Sequence, residues 1–390
     1  MFQPAHTHAS PLTSEQLAML RLIRGKGIGP ATFYKLMDHY GTAVKAVDAA
    51  ETGQVKASVA PINVVQEEQS ALQKMGAGMV FYTDDHYPAA LKMLPDAPPV
   101  LTYLGDVSLL QRKQIALVGS RNASAHGCRF TQKLAADLSA QGWCVTSGLA
   151  RGIDTAAHKG GLSGEGKTIA VLGGGLDHIY PPENAPLYKE IAQNGVIIAE
   201  TPIGTPPTAQ SFPRRNRIVA GLSAGVVVVE AARKSGSLIT AQQAGEQGRE
   251  VLAVPGHPSD PRSHGANHLI RQGATLITSA ADIIEAVQNF KFEAPVIHTP
   301  KFFTREELDD MRPEEEPTLA LELPAASNVD VTAESLEAKI MQALSATPTA
   351  IDDVVQAVGA PTAAVTATLS EMEMDGIITR GTGGFVALKS

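Results

Sequence analysis

The sequence predicts an α/β protein organised around an extended, Rossmann-like, doubly wound parallel sheet, and three observations predict this fold class. Six short apolar runs lie between residues 115 and 254, and each has the length of a strand buried on both faces. Most of these runs end in a turn rich in glycine or serine, and helical patterns separate them. Strands that alternate with helices form a parallel sheet whose ligands bind at the carboxyl ends of the strands. The runs are residues 115–118, 143–146, 168–172, 196–200, 226–229 and 251–254.

Residues 1–78 predict an all-α N-terminal domain that is SAM-like or helix-hairpin-helix-like. Apolar residues at helical spacing flank the turn Gly27-Ile28-Gly29, whose backbone amides could hold a DNA phosphate. A tight turn used only for packing is the alternative, because few cations lie nearby. The prolines between residues 87 and 101 exclude a helix, so we expect extended chain that joins this domain to the sheet.

Two further regions follow the sheet domain, which we expect to span residues 79–290. Residues 291–328 combine acidic residues with prolines, which predicts an acidic linker. Residues 329–390 contain three helical patterns and a glycine-turned hairpin, which is the outline of a winged helix. Its candidate recognition helix, residues 362–375, holds three acids and no Lys or Arg. A helix inserted into DNA needs cations to offset phosphates, so we expect this domain to contact protein, either within a dimer or on a partner.

Charge and cysteine content limit the class of protein. The formal net charge is −8 and the pI is about 5.8, so any nucleic-acid binding must use a local patch rather than an overall field. Cys128 and Cys144 lack metal-ligand spacing, which is typical of a protein in a reducing cytosol. The N-terminus lacks the charged start and apolar segment of a signal peptide. We therefore expect a cytoplasmic protein with no membrane partner.

A cluster of cations marks the candidate site. Arg214, Arg215 and Arg217 precede the apolar run at 226–229, and a Lys-Ser-Gly-Ser turn then leads into a helical pattern. The first turn of that helix can meet an anion with its backbone N–H groups and its dipole. Cations also follow other strands, and this spacing along the sheet edge suits single-stranded nucleic acid better than one compact polyphosphate. The strand-end cations are Arg121, Arg151, Arg214, Arg215, Arg217, Arg233 and Lys234, with Phe212 and His257 as faces on which bases could stack.

Enzyme chemistry is the alternative class, and the residues support it poorly. The first strand–helix turn lacks the G-x-G-x-x-G pattern of a nicotinamide-binding protein, and no P-loop occurs. Rossmann-like phosphoribohydrolases carry a glutamate where this chain has Gln243, and a neutral amide cannot act as a general base. Asp154 and His158 lie four residues apart on a helical face, either as a base with its orienting partner or as a helix-start acid with a capped histidine. Three histidines near the last strand end could bind a metal, but no carboxylate or thiolate supports them. We expect no catalytic residue, no cofactor and no metal.

Eight motifs occur in a fixed order along the sheet domain. They are IALVGSR (115–121), SGLARGIDTAAH (147–158), TIAVLG (168–173), YPPEN (180–184), FPRRNRI (212–218), SGSLITA (235–241), PG (255–256) and NHLI (267–270). In this order the motifs resemble those of the DprA family of DNA-processing proteins, also called Smf, across about residues 79–287. The helical N-terminal domain and the winged helix are also similar to those of many family members.

The resemblance implies a homodimeric, cytosolic protein that binds single-stranded DNA on its Rossmann-like domain. It implies that the protein protects incoming strands during natural transformation and helps to load the RecA recombinase, without catalysis. One departure is Pro182, because some members have a basic residue there, so a neighbouring arginine would have to supply that contact. The predicted DNA-binding set comprises Gly119, Ser120, Arg121, Arg151, Phe212, Arg214, Arg215, Asn216, Arg217, Lys234, Gly236, Ser237, His257 and Asn267.

Overall fold

The fold is seen in a computed structural model that describes residues 11–288, 290, 335–345, 347–381 and 384–389. The predicted acidic linker, residues 291–328, lies outside the described residues. The helices are α1 (Ser14–Ile23), α2 (Pro30–Tyr40), α3 (Ala43–Glu51), α4 (Ile62–Lys74), α5 (Ala89–Lys92), α6 (Ala125–Ala140), α7 (Ile153–Leu162), α8 (Ala185–Asn194), α9 (Ser211–Leu222), α10 (Gly236–Glu246), α11 (His264–Arg271), α12 (Ala280–Val287), α13 (Leu336–Ala343), α14 (Ile351–Val358) and α15 (Thr362–Met374). None of these helices is both long and apolar enough to cross a membrane. The strands are β1 (Gly78–Phe81), β2 (Val100–Gly105), β3 (Gln114–Val118), β4 (Cys144–Ser147), β5 (Thr168–Leu172), β6 (Val196–Ala199), β7 (Gly225–Val228), β8 (Glu250–Ala253), β9 (Thr275–Leu276), β10 (Thr349–Ala350), β11 (Ile378–Gly381) and β12 (Phe385–Leu388).

Nine of the described strands form one sheet, in the order β1-β2-β6-β5-β4-β3-β7-β8-β9. Strands β3 to β8 correspond to the six predicted runs, and they pair in parallel as predicted. Chain order reverses at β3, because β4 to β6 extend the sheet on one side and β7 to β9 extend it on the other. The switch point of the doubly wound sheet therefore lies between the ends of β3 and β7.

Both faces of the sheet are covered by helices. Because successive strand residues point to opposite faces, Ile115 and Leu117 belong to one apolar cluster, and Ala116 and Val118 belong to another. The first cluster contains residues of α6, α7 and α12, and the second contains residues of α9, α10 and α11. Burial on both faces explains why the strands are continuous apolar runs rather than alternating ones.

The connector between the N-terminal domain and the sheet contains a short helix, contrary to the extended chain that we predicted. Helix α5 begins directly after Pro88. A proline at a helix start costs little, because the first N–H groups of a helix have no intrahelical partner in any case. The exclusion of a helix was therefore wrong at Ala89–Lys92. Strand β2 then pairs antiparallel with β6, and β1 with β2, which adds two strands that the sequence reasoning did not foresee.

The N-terminal domain is helical, as predicted, and is joined to the sheet domain by buried charges. Gly27, in the turn between α1 and α2, has φ 80°, a left-handed conformation that favours glycine. The side chains of Arg24 and Glu68 are each less than one tenth exposed and form an ion pair at 2.8 Å. Arg24 also donates to the backbone carbonyl of Glu200 at 3.3 Å, and the Glu200 carboxylate binds Arg217 of α9 at 2.5 Å. The N-terminal domain is thus linked through Glu200 to the helix that carries the predicted arginine cluster.

The described C-terminal residues form a winged helix, as predicted. Helices α13, α14 and α15 surround a small apolar core that includes Ile340, Val354 and Leu369. Three strands complete the domain, in the order β10-β12-β11. The hairpin of β11 and β12 is the wing, with Ile378 opposite Leu388.

Candidate nucleic-acid interface

The carboxyl ends of β3, β4, β5, β7 and β8, with the loops that follow them, form one edge of the sheet, which we call the strand-end face. A cleft opens here at the ends of β3, β4 and β5, beside the first turn of α9. It encloses about 20 Å³, which is room for a single water molecule. The lining residues of this Phe212 cleft are Arg121, Gly148, Ala150, Leu172, Gly173, Gly174, His178, Tyr180, Pro207, Phe212 and Arg215.

Phe212 is surrounded by an aromatic ring and two cations. Its ring centroid lies 5.8 Å from that of Tyr180, with the two rings tilted by 45°. The guanidinium carbon of Arg121 lies 5.3 Å from the Phe212 centroid, and that of Arg215 lies 5.9 Å away. Both distances are within the range of a cation–π interaction. Arg121 is exposed and is one of the residues that line the cleft.

Arg215 is buried and holds two strand ends together. Its Nη1 donates to the carbonyl of Gly148 after β4 and to that of Val171 in β5, the latter at 2.8 Å. Burial lowers the pKa of Arg215, while Asp154 acts in the opposite direction. A Cβ on Gly148 would lie 1.8 Å from Arg215 Nη1, so glycine is required at this position. Arg215 therefore positions the walls of the cleft more than it offers a free charge to a ligand.

The turn after β4 is fixed by Asp154 and His158 of α7. Asp154 Oδ2 accepts from the backbone N–H of Gly148 at 3.1 Å and from that of Ala150 at 3.3 Å. His158 Nε2 accepts from the N–H of Leu149 at 3.2 Å, and this residue has φ 58°, which is unusual outside glycine. Both side chains therefore serve the backbone, as the helix-start alternative supposes, and neither is positioned as a base.

His158 is held as one neutral tautomer. The hydroxyl of Thr168 donates to the carbonyl of Val145 at 2.7 Å, so it can only accept from His158 Nδ1, which lies 2.7 Å away. Nε2 already accepts an N–H and has no room for a proton of its own. Burial, with a smaller contribution from Arg215, lowers the pKa of His158 to about 3.

The N-terminus of α6, at the switch point, is occupied by a carboxylate of the chain itself. Glu230, the second residue after β7, accepts from the backbone N–H of Ser124 at 2.8 Å and from its hydroxyl at 2.6 Å. This is where a Rossmann protein places the pyrophosphate of a dinucleotide. The site is therefore already filled, and the structure agrees with the absence of a nicotinamide-binding motif from the sequence.

The other predicted cations near the cleft differ in their surroundings. Arg214 is exposed at the first turn of α9, whereas Arg217 is buried. Arg217 binds Glu200 at 2.5 Å and lies 3.5 Å from a carboxylate oxygen of Asp96. The structure thus holds Arg217 in buried ion pairs within the sheet domain, and only Glu200 of these partners also accepts from Arg24 of the N-terminal domain.

The loop that contains Pro182, where some family members have a basic residue, carries an ion pair. Glu183, the next residue, binds Arg151, and both side chains are about half exposed. Arg151 is thus an arginine held next to the position at which some family members have a basic residue. Asn216 joins α9 to α10, because its amide donates to the carbonyl of Gly236 at 3.4 Å.

The remaining predicted residues lie at the ends of β7 and β8. Ser235 caps α10 by accepting from the N–H of Ser237 at 3.4 Å, and Lys234 is exposed beside it. Asn267 fixes the turn after β8, because it accepts from the N–H of Gly256 at 3.1 Å and donates to its carbonyl at 2.9 Å. This turn presents His257 at the surface.

Eight of the eleven cleft residues were not predicted as site residues, among them His178, Tyr180 and Pro207. Tyr180 and His178 follow the glycine turn after β5, and Pro207 belongs to the loop before α9. The aromatic residue after a glycine-rich strand end is a signal from which Tyr180 could have been found. Among the described residues, no group of three His, Cys, Asp or Glu side chains is arranged to hold a metal ion.

Three family models match this chain. Residues 78–288 match the model described as DNA recombination-mediator protein A, residues 13–71 match the DprA-like N-terminal HHH domain, and residues 324–384 match the DprA winged helix domain. The first match alone covers more than half of the chain. The chain belongs to the DprA family. The resemblance seen in the sequence is thereby confirmed, as is the predicted fold class with its two flanking domains.

Individual DprA relatives agree with the family models. The DNA processing protein DprA of Bacillus subtilis is 43% identical over 229 residues, which are 58% of this chain and 77% of that protein. The X-ray structure of DprA from Streptococcus pneumoniae matches with a TM-score of 0.60 and 36% identity, and covers 72% of this chain and 99% of that one. A structure of DNA processing protein A from Helicobacter pylori matches with a TM-score of 0.50 and 31% identity, over 55% of this chain and 97% of that one. That structure is described as giving insight into a single-stranded DNA binding mode.

Proposed function

We propose that this DprA-family chain is a recombination mediator that binds single-stranded DNA along its strand-end face. The observation that carries the proposal is the Phe212 cleft, in which an aromatic ring lies between two arginines at the ends of three parallel strands. Aromatic faces that stack bases and cations that follow the backbone are the two elements of a single-strand site. The single-strand binding mode reported for the Helicobacter pylori relative supports the same ligand class.

Binding requires the cleft to open. The cleft is small, with room for a single water molecule, and the guanidinium carbon of Arg121 lies 5.3 Å from the Phe212 centroid. A base that stacks on Phe212 displaces the Arg121 side chain, which is then able to reach a phosphate. The same arginine thus covers the ring in the free protein and contacts the backbone of the strand in the complex.

The predicted binding residues divide into two roles. Exposed cations contact phosphates, and buried side chains position the loops that carry them. Arg121, Arg214 and Lys234 belong to the first group, because they are exposed on the strand-end face. Arg215 and Arg217 belong to the second group, because they are buried against carbonyl and carboxylate groups of the protein.

The family resemblance also suggests where the protein works, its oligomeric state and its role in the cell. We propose that the protein works in the cytoplasm as a homodimer, protects incoming strands during natural transformation and helps to load RecA. We also propose that it does so without catalysis, cofactor or metal. Gln243, at the position of the phosphoribohydrolase glutamate, donates to the carbonyl of Pro213 at 3.1 Å and so serves to hold the start of α9. A nucleotide hydrolase on the same scaffold would need a base that this amide cannot provide.

Fluorescence anisotropy of labelled single- and double-stranded oligonucleotides across a salt series tests the proposal. For single strands, each phosphate contact contributes roughly 0.7 to the slope of log affinity against log salt. Arg121→Ala should therefore weaken binding to all sequences alike and reduce the slope by roughly 0.7. Arg271→Ala is the matched control, because Arg271 is an exposed arginine at the far end of α11. An Arg121→Ala protein that keeps the wild-type slope contradicts the site assignment.

Two further measurements test the proposal. One separates arginines that contact phosphate from arginines that position loops, and the other separates a binding protein from a hydrolase. Arg217→Ala should lower stability, because it leaves the largely enclosed Glu200 carboxylate without its partner, while the salt slope of the folded fraction stays near that of the wild type. Incubation with nucleoside monophosphates should release no free base. Release at a rate above that of buffer would favour the hydrolase and overturn the assignment as a binding protein.

A further inference from the structure

The winged helix packs on the sheet domain beside the strand-end face. Ala125, the first residue of α6, is 6% exposed and belongs to the apolar core of the winged helix, together with Leu344 and Val354. The two domains therefore share a small apolar contact. Such a contact is too limited to hold two domains together permanently, so the polar groups around it determine how readily it opens.

Two arginines of the sheet domain hold the winged helix. Arg129 of α6 forms an ion pair with Asp353 in the first turn of α14 at 2.5 Å. Arg262 donates to the carbonyl of Gln342 at 2.9 Å and to that of Leu344 at 2.5 Å. These carbonyls lie at the C-terminal end of α13, where the helix dipole favours a cation. Asp260 Oδ1 lies 3.1 Å from Arg262 Nε and so orients the guanidinium group.

Both arginines lie on the border of the strand-end face. Helix α6, which carries Arg129, begins four residues after Arg121 at the end of β3. Arg262 follows the turn that presents His257, and its own carbonyl accepts from the N–H of Ala231 at the end of β7, at 2.6 Å. The winged helix thus lies beside the strand-end face, next to α6 and to the loop that follows β8.

The winged helix repels a DNA backbone from the place that it covers. Within residues 335–345, 347–381 and 384–389 it carries six carboxylates against three cations. The acidic helix α15, which lacks the cations of a DNA-reading helix, is consistent with a domain that faces protein. Arginines held by carboxylate and carbonyl oxygens in this way are also the side chains that phosphates bind best.

We infer that the winged helix is a displaceable acidic cover, and that single-stranded DNA releases it by competing for Arg129 and Arg262. The inference rests on the proposed function, because it needs a strand on the strand-end face. In the free protein the two arginines bind Asp353 and the α13 carbonyls. When a strand extends past the Phe212 cleft towards β7 and β8, its phosphates take these arginines, and the winged helix becomes available to a protein partner.

A substitution with a matched control tests the cover. Asp353→Asn removes the ion pair to Arg129, so the affinity for oligo(dT) should rise roughly two- to fivefold, as expected for a partly exposed pair. Asp352→Asn is the control, because Asp352 lies exposed in the same turn and its loss removes the same charge and the same interaction with the helix dipole. It should leave the affinity near that of the wild type. Equal affinities for the two variants overturn the inference.

Hydrogen exchange of the full chain provides a second readout that does not depend on a variant. Saturating oligo(dT) should speed amide exchange in residues 351–358, because α14 loses its contact with α6. Unchanged or slower exchange in this helix, in a protein that binds the oligonucleotide, contradicts the cover but leaves the proposed function intact. A wild-type protein that does not bind oligo(dT) at all refutes both.

Discussion

Acid should lower the stability of the sheet domain through a single buried histidine. His158 is completely buried, and its two ring nitrogens bind the Leu149 N–H and the Thr168 hydroxyl as a neutral tautomer. Burial and Arg215 lower its pKa from the ordinary 6.5 to about 3. The unfolded chain therefore binds a proton below pH 6.5 that the folded chain does not, so stability falls as the pH is lowered from 6.5 towards 3.

The size of the effect follows from the two pKa values. At pH 5 the imidazole of the folded protein is still neutral, so the loss depends almost entirely on the unfolded-state value. Between pH 7.5 and pH 5 the loss is about 2 kcal/mol. Asp154 has the opposite effect on stability. Burial raises its pKa, so on acidification the folded protein binds this proton at a higher pH than the unfolded chain does, which favours the folded state. The two effects are separated by comparing wild type with a variant that lacks only the histidine.

His158→Gln is that variant, because a glutamine can accept from the Leu149 N–H and donate to Thr168 without titrating. Urea unfolding at pH 7.5 and pH 5, followed by the fluorescence of Trp143, reports on the central domain, since this is the one tryptophan of the chain and directly precedes β4. Wild type should lose about 2 kcal/mol more than the variant across this range. The same pH dependence in both proteins would show that His158 is not held neutral and would refute the reasoning.

Two other perturbations follow from the contacts. Gly148→Ala places a methyl group 1.8 Å from Arg215 Nη1, so it should cost about 1–3 kcal/mol of stability and weaken oligo(dT) binding by moving the cleft wall, as measured by urea unfolding and anisotropy. Unchanged affinity and stability would show that Arg215 does not hold the cleft. Glu68→Gln leaves Arg24 buried without a charged partner, so it should cost about 3–5 kcal/mol, whereas the same change at exposed Glu67 should cost almost nothing. Similar urea midpoints for the two variants would contradict a structural role for the pair.

The parts of the fold that depend on local pattern could be predicted from the sequence. The six central strands are apolar runs bounded by glycine turns, so their existence and parallel pairing follow from composition and order alone. Strands β1 and β2 are short segments near prolines, and only their pairing with β6 makes them strands. The helix α5 has a single turn, which is too short to produce a periodic pattern.

The role of each arginine could not be predicted, because it depends on partners far along the chain. Arg214, Arg215 and Arg217 look alike in the sequence. In the fold, Arg215 reaches carbonyls that lie 67 and 44 residues away, and Arg217 reaches a carboxylate 17 residues away. Residues 217–222 of α9 are buried all round the helix, whereas Arg214 lies near its N-terminal end and stays in solvent, so exposure here follows position along the helix. The cluster marked the correct region of the chain without indicating which cation is exposed.

The carboxylate of Glu230 has a consequence for how such a protein can change in evolution. The side chain acts as a resident anion, since it occupies the amide and hydroxyl of Ser124 that a phosphate would otherwise use. Gly127 leaves the space for it, because a Cβ there would lie 2.5 Å from a Glu230 oxygen. A shorter residue at position 230 would vacate the helix terminus without disturbing any strand. One side chain at the switch point therefore decides whether the N-terminus of α6 is open to an outside anion.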